Sequence, residues 1–348
     1  MRSPFKFLDA YQKDDRDIYY GRALETDELY DRIYETNLIL LYGASGTGKT
    51  SLINCGLANR YETTDWHPIF IRRRDNFLSS ITHVLDKEAK TPFKAGVTTS
   101  EKIRSLYLDF FKPIYLIFDQ FEEVFIMGTR DEQDAFFMLI HELLESNLQC
   151  KIIISMREEY IANLSDFERI VPTLFENRLR IERMSRRNLG EVIEGTAKSF
   201  NIELVQPEKT IDLILKNLTN DKQEGVELAN LQVYIDKLYR LDATQNGGDK
   251  RKFSPELVAS AGKLDDVLAG FLDEQLAQIE EELAEKKLAN KGTALDVLFA
   301  LVTDSGTKQS METVQIKSIL LQSKKVSAEA VDYCIQRFQE MRIVREMA

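Results

Sequence analysis

The segment "GASGTGKTS", from Gly43 to Ser51, combines residue types and a spacing that suit phosphate binding. Gly43, Gly48, Lys49 and Thr50 satisfy the pattern G-x-x-x-x-G-K-[ST]. In such a loop the glycines let backbone N–H groups converge on an anion, the lysine reaches the β- and γ-phosphates, and the hydroxyl can ligate Mg²⁺. The predicted phosphate-binding loop consists of Gly43, Ala44, Ser45, Gly46, Thr47, Gly48, Lys49, Thr50 and Ser51.

Three carboxylates follow an apolar run in "YLIFDQFEEVF", from Tyr115 to Phe125. Asp119 comes directly after the run, where P-loop enzymes hold an acid that binds Mg²⁺ opposite the nucleotide phosphates. A second acid a few residues later could orient or deprotonate an attacking water, so Glu122 and Glu123 are both candidate catalytic residues. Spacing alone does not choose between them, and either could simply be a favourable charge at a helix N-terminus.

A single arginine and an arginine triplet also follow predicted strands. Arg157, in "KIIISMREEY", should lie at the same sheet edge and could bind a γ-phosphate bidentately. A surface ion pair with Glu158 or Glu159 is the alternative for Arg157. The triplet 72–74 is expected to be a solvated charge run, with phosphate or nucleic-acid contact as its alternative.

The elements that must position these residues read as an α/β domain followed by helices. Apolar runs at 37–43, 115–118 and 151–155 predict strands of a parallel sheet that is covered on both faces. The segments 67–74 and 178–182 are two further strand candidates, and helical patterns separate the strands. The later chain is helix-periodic and ends in a strand-like "RIVRE", a pattern compatible with a winged helix. The predicted domains are an α/β P-loop domain over 1–185, an all-α domain over 186–245, a linker over 246–262 and a winged-helix domain over 263–348.

The composition restricts the class of protein. The chain has 348 residues, with 46 basic against 57 acidic side chains and a net charge of −11, which argues against a broad nucleic-acid surface. No apolar run has signal-peptide or membrane-span length. The three cysteines, Cys55, Cys150 and Cys334, fit neither a disulfide framework nor a metal cluster, so we expect a cytoplasmic protein without membrane contact.

Taken together, the motifs resemble those of STAND NTPases, signal-transduction ATPases related to AAA+ and NACHT proteins. The likeness is to the bacterial novel STAND branch and extends over nearly the whole chain. "YGR" (Tyr20, Gly21 and Arg22) is similar to the short motif whose backbone lines the family's adenine pocket. "GASGTGKTS" resembles Walker A, "LIFDQFEE" the branch's form of Walker B, and "ISMREEY" its sensor-1 strand with arginine.

This resemblance implies a switch that uses ATP, ADP and Mg²⁺. ADP would hold the α/β core, a helical lid at 186–245 and the winged helix together. ATP–Mg²⁺ would favour an open form that oligomerises, and slow hydrolysis would reset it. Effector and sensor domains or partner chains, absent here, would complete a signalling protein, in bacteria often an anti-phage sensor.

The sequence departs from its relatives at two places. Ala229 stands where the lid of many relatives carries a proline, and no histidine follows His141, although several relatives use a winged-helix histidine on the ADP β-phosphate. Lys308 is a candidate for the group that replaces this histidine in holding the inactive, ADP-bound form.

The alternative is an AAA+ DNA-loading or transposition ATPase whose winged helix binds duplex DNA. From residue 263 to the end acidic residues match or exceed basic ones, and "VSAEAVDYCIQRFQEM" is not basic enough for strong phosphate contact. Nucleic acid is therefore an unlikely partner. A continuously turning metabolic or transport ATPase is a third hypothesis, for which the helical regions offer no substrate site.

Overall fold

The computed structural model divides the chain into two compact units, Met1–Ala261 and Gly262–Ala348. The structure describes residues 5–6, 9–219, 225–246, 250–288, 292–302, 311–323, 326–340 and 344.

The first unit is built on five parallel strands in the order β2-β3-β4-β1-β5. The strands are β1 (Leu38–Gly43), β2 (His67–Ile71), β3 (Ile114–Phe118), β4 (Cys150–Arg157) and β5 (Arg178–Arg180). Every residue of β3 is buried, which explains its unbroken apolar sequence, because both faces of the sheet are covered. The prediction of an α/β fold with a parallel sheet is confirmed.

Successive residues of β1 face opposite cores, as the two-residue period of a strand requires. The helices of this region are α1 (Ala23–Glu35), α2 (Lys49–Ser51), α3 (Phe77–Glu88), α4 (Thr99–Phe110), α5 (Glu123–Ile126) and α6 (Arg130–Glu145). Leu38 and Leu40 pack with α3, α4 and α6, whereas Ile39 and Leu41 pack with α1 and the segment after the phosphate-binding loop.

The helix after the phosphate-binding loop is irregular. α2 continues as a π-helix over Leu52–Gly56 and then as a 3₁₀ turn over Leu57–Asn59. The expected helix is therefore present, but its backbone widens and then tightens within three turns. Further 3₁₀ segments span Lys13–Ile18 and Glu158–Phe167.

The rest of the first unit is mainly helical. Its elements are α7 (Arg186–Ser199), β6 (Glu203–Leu204), α8 (Pro207–Leu218), α9 (Leu228–Asn246), β7 (Lys252–Phe253) and α10 (Pro255–Ala261). The predicted linker at 246–262 thus contains a strand and a helix, because Phe253 and Val258 are buried and β7 pairs with β6. The predicted assignment of residues 186–245 as a separate domain stays a prediction.

The second unit has its own apolar core, in which Ile279, Val297, Leu320 and Phe338 are buried. Its helices are α11 (Leu264–Glu285), α12 (Thr293–Phe299), α13 (Thr313–Ser323) and α14 (Ala328–Glu340). Of the strand-like "RIVRE" only Val344 belongs to the described residues, so the winged helix stays a prediction. Among the described residues, no helix is long and apolar enough to cross a membrane.

Candidate functional site

The phosphate-binding loop leaves the sheet at the carboxyl end of β1, beside β4. Gly43 is in register with Arg157 of β4, so the first glycine of the loop and the arginine share one edge of the sheet. A Cβ atom on Gly43 would lie 2.2 Å from the Ile181 carbonyl oxygen, and the Ile181 N–H donates to the Tyr42 carbonyl at 2.7 Å. Gly43 is therefore required by close backbone packing as well as by the loop turn. Gly48, with φ of 89°, lies in the left-handed region that favours glycine.

Lys49 folds back over this loop. Its Nζ donates to the carbonyl oxygens of Gly43 at 2.8 Å and Ala44 at 3.0 Å. Burial lowers the pKa of Lys49, while the charges of Glu122 and Asp119 act in the opposite direction. The lysine is thus a half-buried donor that bonds the loop carbonyls and feels the charge of the nearby carboxylates.

Thr50 and Asp119 meet directly. The Thr50 hydroxyl donates to the two Asp119 carboxylate oxygens at 3.1 and 3.2 Å, and Asp119 is only 4% exposed. Arg72, at the end of β2, donates from Nη2 to Asp119 Oδ2 at 2.7 Å. The strand that carries Asp119 and the loop that carries Thr50 are thereby joined through one buried carboxylate.

These oxygens fit a magnesium ion only in company with phosphates. Mg²⁺ in nucleotide sites takes one or two carboxylates plus substrate phosphate oxygens and water. Among the residues that the structure describes, no group of three or more His, Cys, Asp or Glu side chains could hold a metal by itself. Thr50 and Asp119 would therefore hold Mg²⁺ together with a bound nucleotide.

The two candidate catalytic glutamates have different surroundings. Glu122 is 5% exposed; its Oε1 lies 3.0 Å from Arg157 Nε and its Oε2 accepts the Arg157 backbone N–H at 3.2 Å. Glu123 begins α5, and its pKa is raised chiefly by burial and then by the charge of Glu122. Arg157 thus pairs with Glu122, whereas Glu158, its suggested partner, pairs with Arg180.

The arginine triplet after β2 is not a solvated charge run throughout. Arg73 is buried and forms two bonds with Glu132 of α6, at 3.0 and 2.8 Å, while the Phe77 N–H donates to the same carboxylate at 2.9 Å. Arg74 is exposed. Neighbouring side chains of an extended segment point to opposite faces, which sends Arg72 to Asp119 and Arg73 to α6. Neither contact was expected from the sequence; the signal for the first is that Arg72 follows β2 as Asp119 follows β3.

The "YGR" motif connects the loop with α7. Arg22 is 3% exposed, and its Nη2 donates to the carbonyl oxygens of Thr47 at 2.9 Å and Glu182 at 2.7 Å. The Tyr20 hydroxyl lies 2.6 Å from Ser199 Oγ, and the Gly21 carbonyl accepts from Asn188 Nδ2 at 3.0 Å.

A cavity of about 330 Å³ is lined by this motif, by residues after the loop and by Glu191 of α7. Tyr20, Gly21 and Arg22 all line it. The bond from Arg22 to Thr47 places the motif beside the loop. Ser51, the last loop residue, accepts the Tyr11 N–H at 3.1 Å on its Oγ.

The start of α9 lies against the phosphate-binding loop at Gly46 and Gly48. A Cβ atom on Gly46 would be 3.7 Å from Glu227 Cγ, and one on Gly48 would be 3.1 Å from Leu228 Cδ1. Ala229, where relatives have proline, is the next residue and is half-buried. Lys308 lies outside the described residues.

Comparison with known proteins gives one family and several similar folds. The sequence model of the family described as novel STAND NTPase 1 matches residues 4–347. The search of curated proteins returns no match.

The similar solved structures include a Walker-type ATPase and two forms of an ORC2 protein. A Walker-type ATPase of Pyrococcus abyssi is 17% identical, with a TM-score of 0.50 over 96% of this chain and 92% of the other. The ORC2 protein of Aeropyrum pernix, in ADPNP-ADP complexes, is 15% identical, with a TM-score of 0.52 over 93% of this chain and 95% of the other. Its ADP form is 16% identical, with a TM-score of 0.52 over 97% and 90%. At these identities the likeness shows a shared fold.

Proposed function

Because this chain belongs to the novel STAND NTPase 1 family, we propose that it is an ATP- and ADP-binding switch that hydrolyses ATP slowly. Family membership supports NTP hydrolysis. The choice of adenine nucleotide rests on the family resemblance and on the "YGR" cavity beside the loop.

In the proposed site, Lys49 exchanges its two loop carbonyls for the β- and γ-phosphates, and the loop N–H groups surround the phosphates. Thr50 and Asp119 would hold Mg²⁺, which would neutralise charge on the phosphates. Glu123 accepts a proton from the attacking water, and Arg157 contacts the γ-phosphate after leaving Glu122. Tyr20, Gly21 and Arg22 line the adenine site.

The observation that carries the proposal of a switch is the contact between α9 and the loop. Glu227 and Leu228 lie against Gly46 and Gly48, so a phosphate bound in the loop must also fit the start of α9. A nucleotide shifts a conformational equilibrium only by its affinity difference between the two forms. A helix that touches the phosphate loop in one form and leaves it in another supplies such a difference.

We further propose that residues 186–245 act as the lid and 263–348 as a winged helix. The ATP-bound form would oligomerise and signal in bacterial anti-phage defence, together with effector or sensor parts. The three cysteines are free and buried, which suits a reducing cytoplasm. These parts of the proposal rest on the family resemblance.

The test is to purify the chain without added nucleotide, denature it and quantify what is released. Near-stoichiometric ADP is expected from wild type and little from Lys49→Ala, because charge-assisted hydrogen bonds to phosphate contribute about 1.5–3 kcal/mol each. Lys87→Ala, an exposed change of the same type, should retain ADP. Protein that arrives without nucleotide and turns ATP over steadily would instead support the DNA-loading alternative.

A further inference from the structure

Arg72 and Asp119 are the next residues after two paired strands. Ile71 of β2 is in register with Phe118 of β3, and the Asp119 N–H donates to the Ile71 carbonyl at 3.3 Å. This ladder bond extends one residue past the end of β3, so the residues that follow the two strands lie side by side. The 2.7 Å bond between them follows from strand register.

The pair joins an exposed cation to a buried anion. The Arg72 side chain is 55% exposed, whereas that of Asp119 is 5% exposed. A buried carboxylate is costly unless it is paired and hydrogen-bonded. Here the Thr50 hydroxyl and the Arg72 guanidinium supply those partners.

The neighbours of Arg72 are fixed elsewhere. Arg73 is held by two bonds to buried Glu132, and exposed Arg74 donates its backbone N–H to Ser80 Oγ at 2.9 Å. Arg72 therefore can leave Asp119 for solvent without disturbing the packing of the segment around it.

We propose that Arg72 is the counter-charge of Asp119 and that Mg²⁺ displaces Arg72 when it binds. Arg72 would thereby set how strongly nucleotide binding depends on Mg²⁺. The inference rests on the proposed nucleotide site. Thr50 and Asp119 are the residues that would hold the metal. In this structure they bond each other, and Asp119 is also bonded to Arg72. Metal binding must release the Arg72–Asp119 ion pair, whereas binding of metal-free nucleotide keeps it.

Removing the guanidinium should therefore act in opposite directions under the two conditions. With Mg²⁺, the Arg72→Gln variant has no ion pair to break, and it should bind nucleotide more tightly. Without Mg²⁺, its Asp119 carboxylate lacks the counter-charge of Arg72 near the phosphates, and nucleotide should bind more weakly. The coupling between metal and nucleotide, which is reciprocal, should increase about tenfold or more.

The experiment measures the affinity of a fluorescent ADP analogue for the full chain, in excess Mg²⁺ and in EDTA. Arg72→Gln is compared with wild type, with Arg72→Lys, and with Arg74→Gln as the control of equal charge change. The expected result is a raised ratio of EDTA to Mg²⁺ dissociation constants for Arg72→Gln alone. Arg72→Lys, which keeps the positive charge, should stay near wild type.

An unchanged ratio in Arg72→Gln, or an equal rise in Arg74→Gln, would overturn the assignment of Arg72 while nucleotide binding by wild type stands. Wild type that binds the analogue under neither condition would overturn the proposed function, and this inference with it. A thermal unfolding curve of each variant without nucleotide checks that the fold is retained.

Discussion

Glu122 and Glu123 are adjacent in sequence but differ as candidates for the catalytic base. Glu122 accepts a hydrogen bond from the Arg157 backbone and forms an ion pair with its side chain, whereas the raised pKa of Glu123 brings it nearer to that of an efficient general base. We therefore expect Glu123→Gln to slow ATP hydrolysis by about 10²–10⁴-fold with nucleotide affinity retained. Single-turnover hydrolysis and equilibrium binding measure the two quantities. Slowing confined to Glu122→Gln would assign the role to the other glutamate.

The pH dependence of hydrolysis should also distinguish Glu123 from Glu122. A general base works in its ionised form, and the pKa of Glu123 lies above the ordinary glutamate value because of burial and Glu122. As pH falls through that raised pKa, the rate should fall. The single-turnover rate of Glu123→Gln should lack this acidic limb, while Glu122→Gln should keep it.

At the scale of elements, the buried pair between Arg73 and Glu132 ties the segment after β2 to α6. Glu132→Ala leaves a buried guanidinium and the Phe77 N–H without this partner, so we expect a loss of about 3–5 kcal/mol in the free energy of unfolding. Urea unfolding can be followed through Trp66, the single tryptophan, which is buried.

The control for this prediction is Asp134→Ala on the same helix. Asp134 forms an exposed pair with Arg130 at 3.1 Å. Such a pair contributes at most about 1 kcal/mol. Equal effects of the two substitutions would contradict the role given to the buried pair.

The contact between α9 and the loop predicts a kinetic effect. Leu228→Ala removes apolar contact beside Gly48, which we expect to cost about 1 kcal/mol and to speed ADP release about fivefold. Leu228→Met, which conserves volume, should release ADP at nearly the wild-type rate. Stopped-flow displacement of a fluorescent ADP analogue measures both. Identical rates of ADP release from wild type and both variants would show that the contact of α9 with the loop does not help to retain the nucleotide.

The sequence predicted those elements whose signal is local. Three of the five strands follow from unbroken apolar runs, and the loop follows from its spacing. The start of α4 carries a local signal of the same kind, a capping box in which the Thr98 N–H donates to Glu101 at 2.8 Å.

Contacts between distant segments could not be read from the sequence. The pairing of Arg73 with Glu132, and that of Arg157 with Glu122, depends on strand register and on which face a side chain takes. Both arise from tertiary packing, which spacing along the chain does not encode.

At the scale of the whole molecule, the charge of the second unit argues against DNA loading. Arg337 of α14 donates to Glu282 at 2.7 and 2.8 Å, and Lys317 of α13 pairs with Asp332 at 2.7 Å. Cations already paired within the unit are poorly placed to neutralise DNA phosphates.

We therefore expect no duplex binding tighter than about 10 µM near 0.15 M salt, within the range of non-specific contact. Fluorescence anisotropy of labelled duplex DNA, with and without ATP, measures this affinity. Nanomolar binding with a steep salt dependence would favour the DNA-loading alternative.

The close packing of Gly43 against Ile181 affects how inactive variants should be interpreted. Even alanine at position 43 would push against a backbone carbonyl 2.2 Å away, so protein yield and activity would fall together. Lys49 makes no comparable steric demand on the sheet. A phenotype caused by loss of nucleotide can therefore be separated from one caused by low abundance only through substitutions such as Lys49→Ala. In a genetic screen of this loop, Gly43 variants would report on folding and Lys49 variants on nucleotide binding.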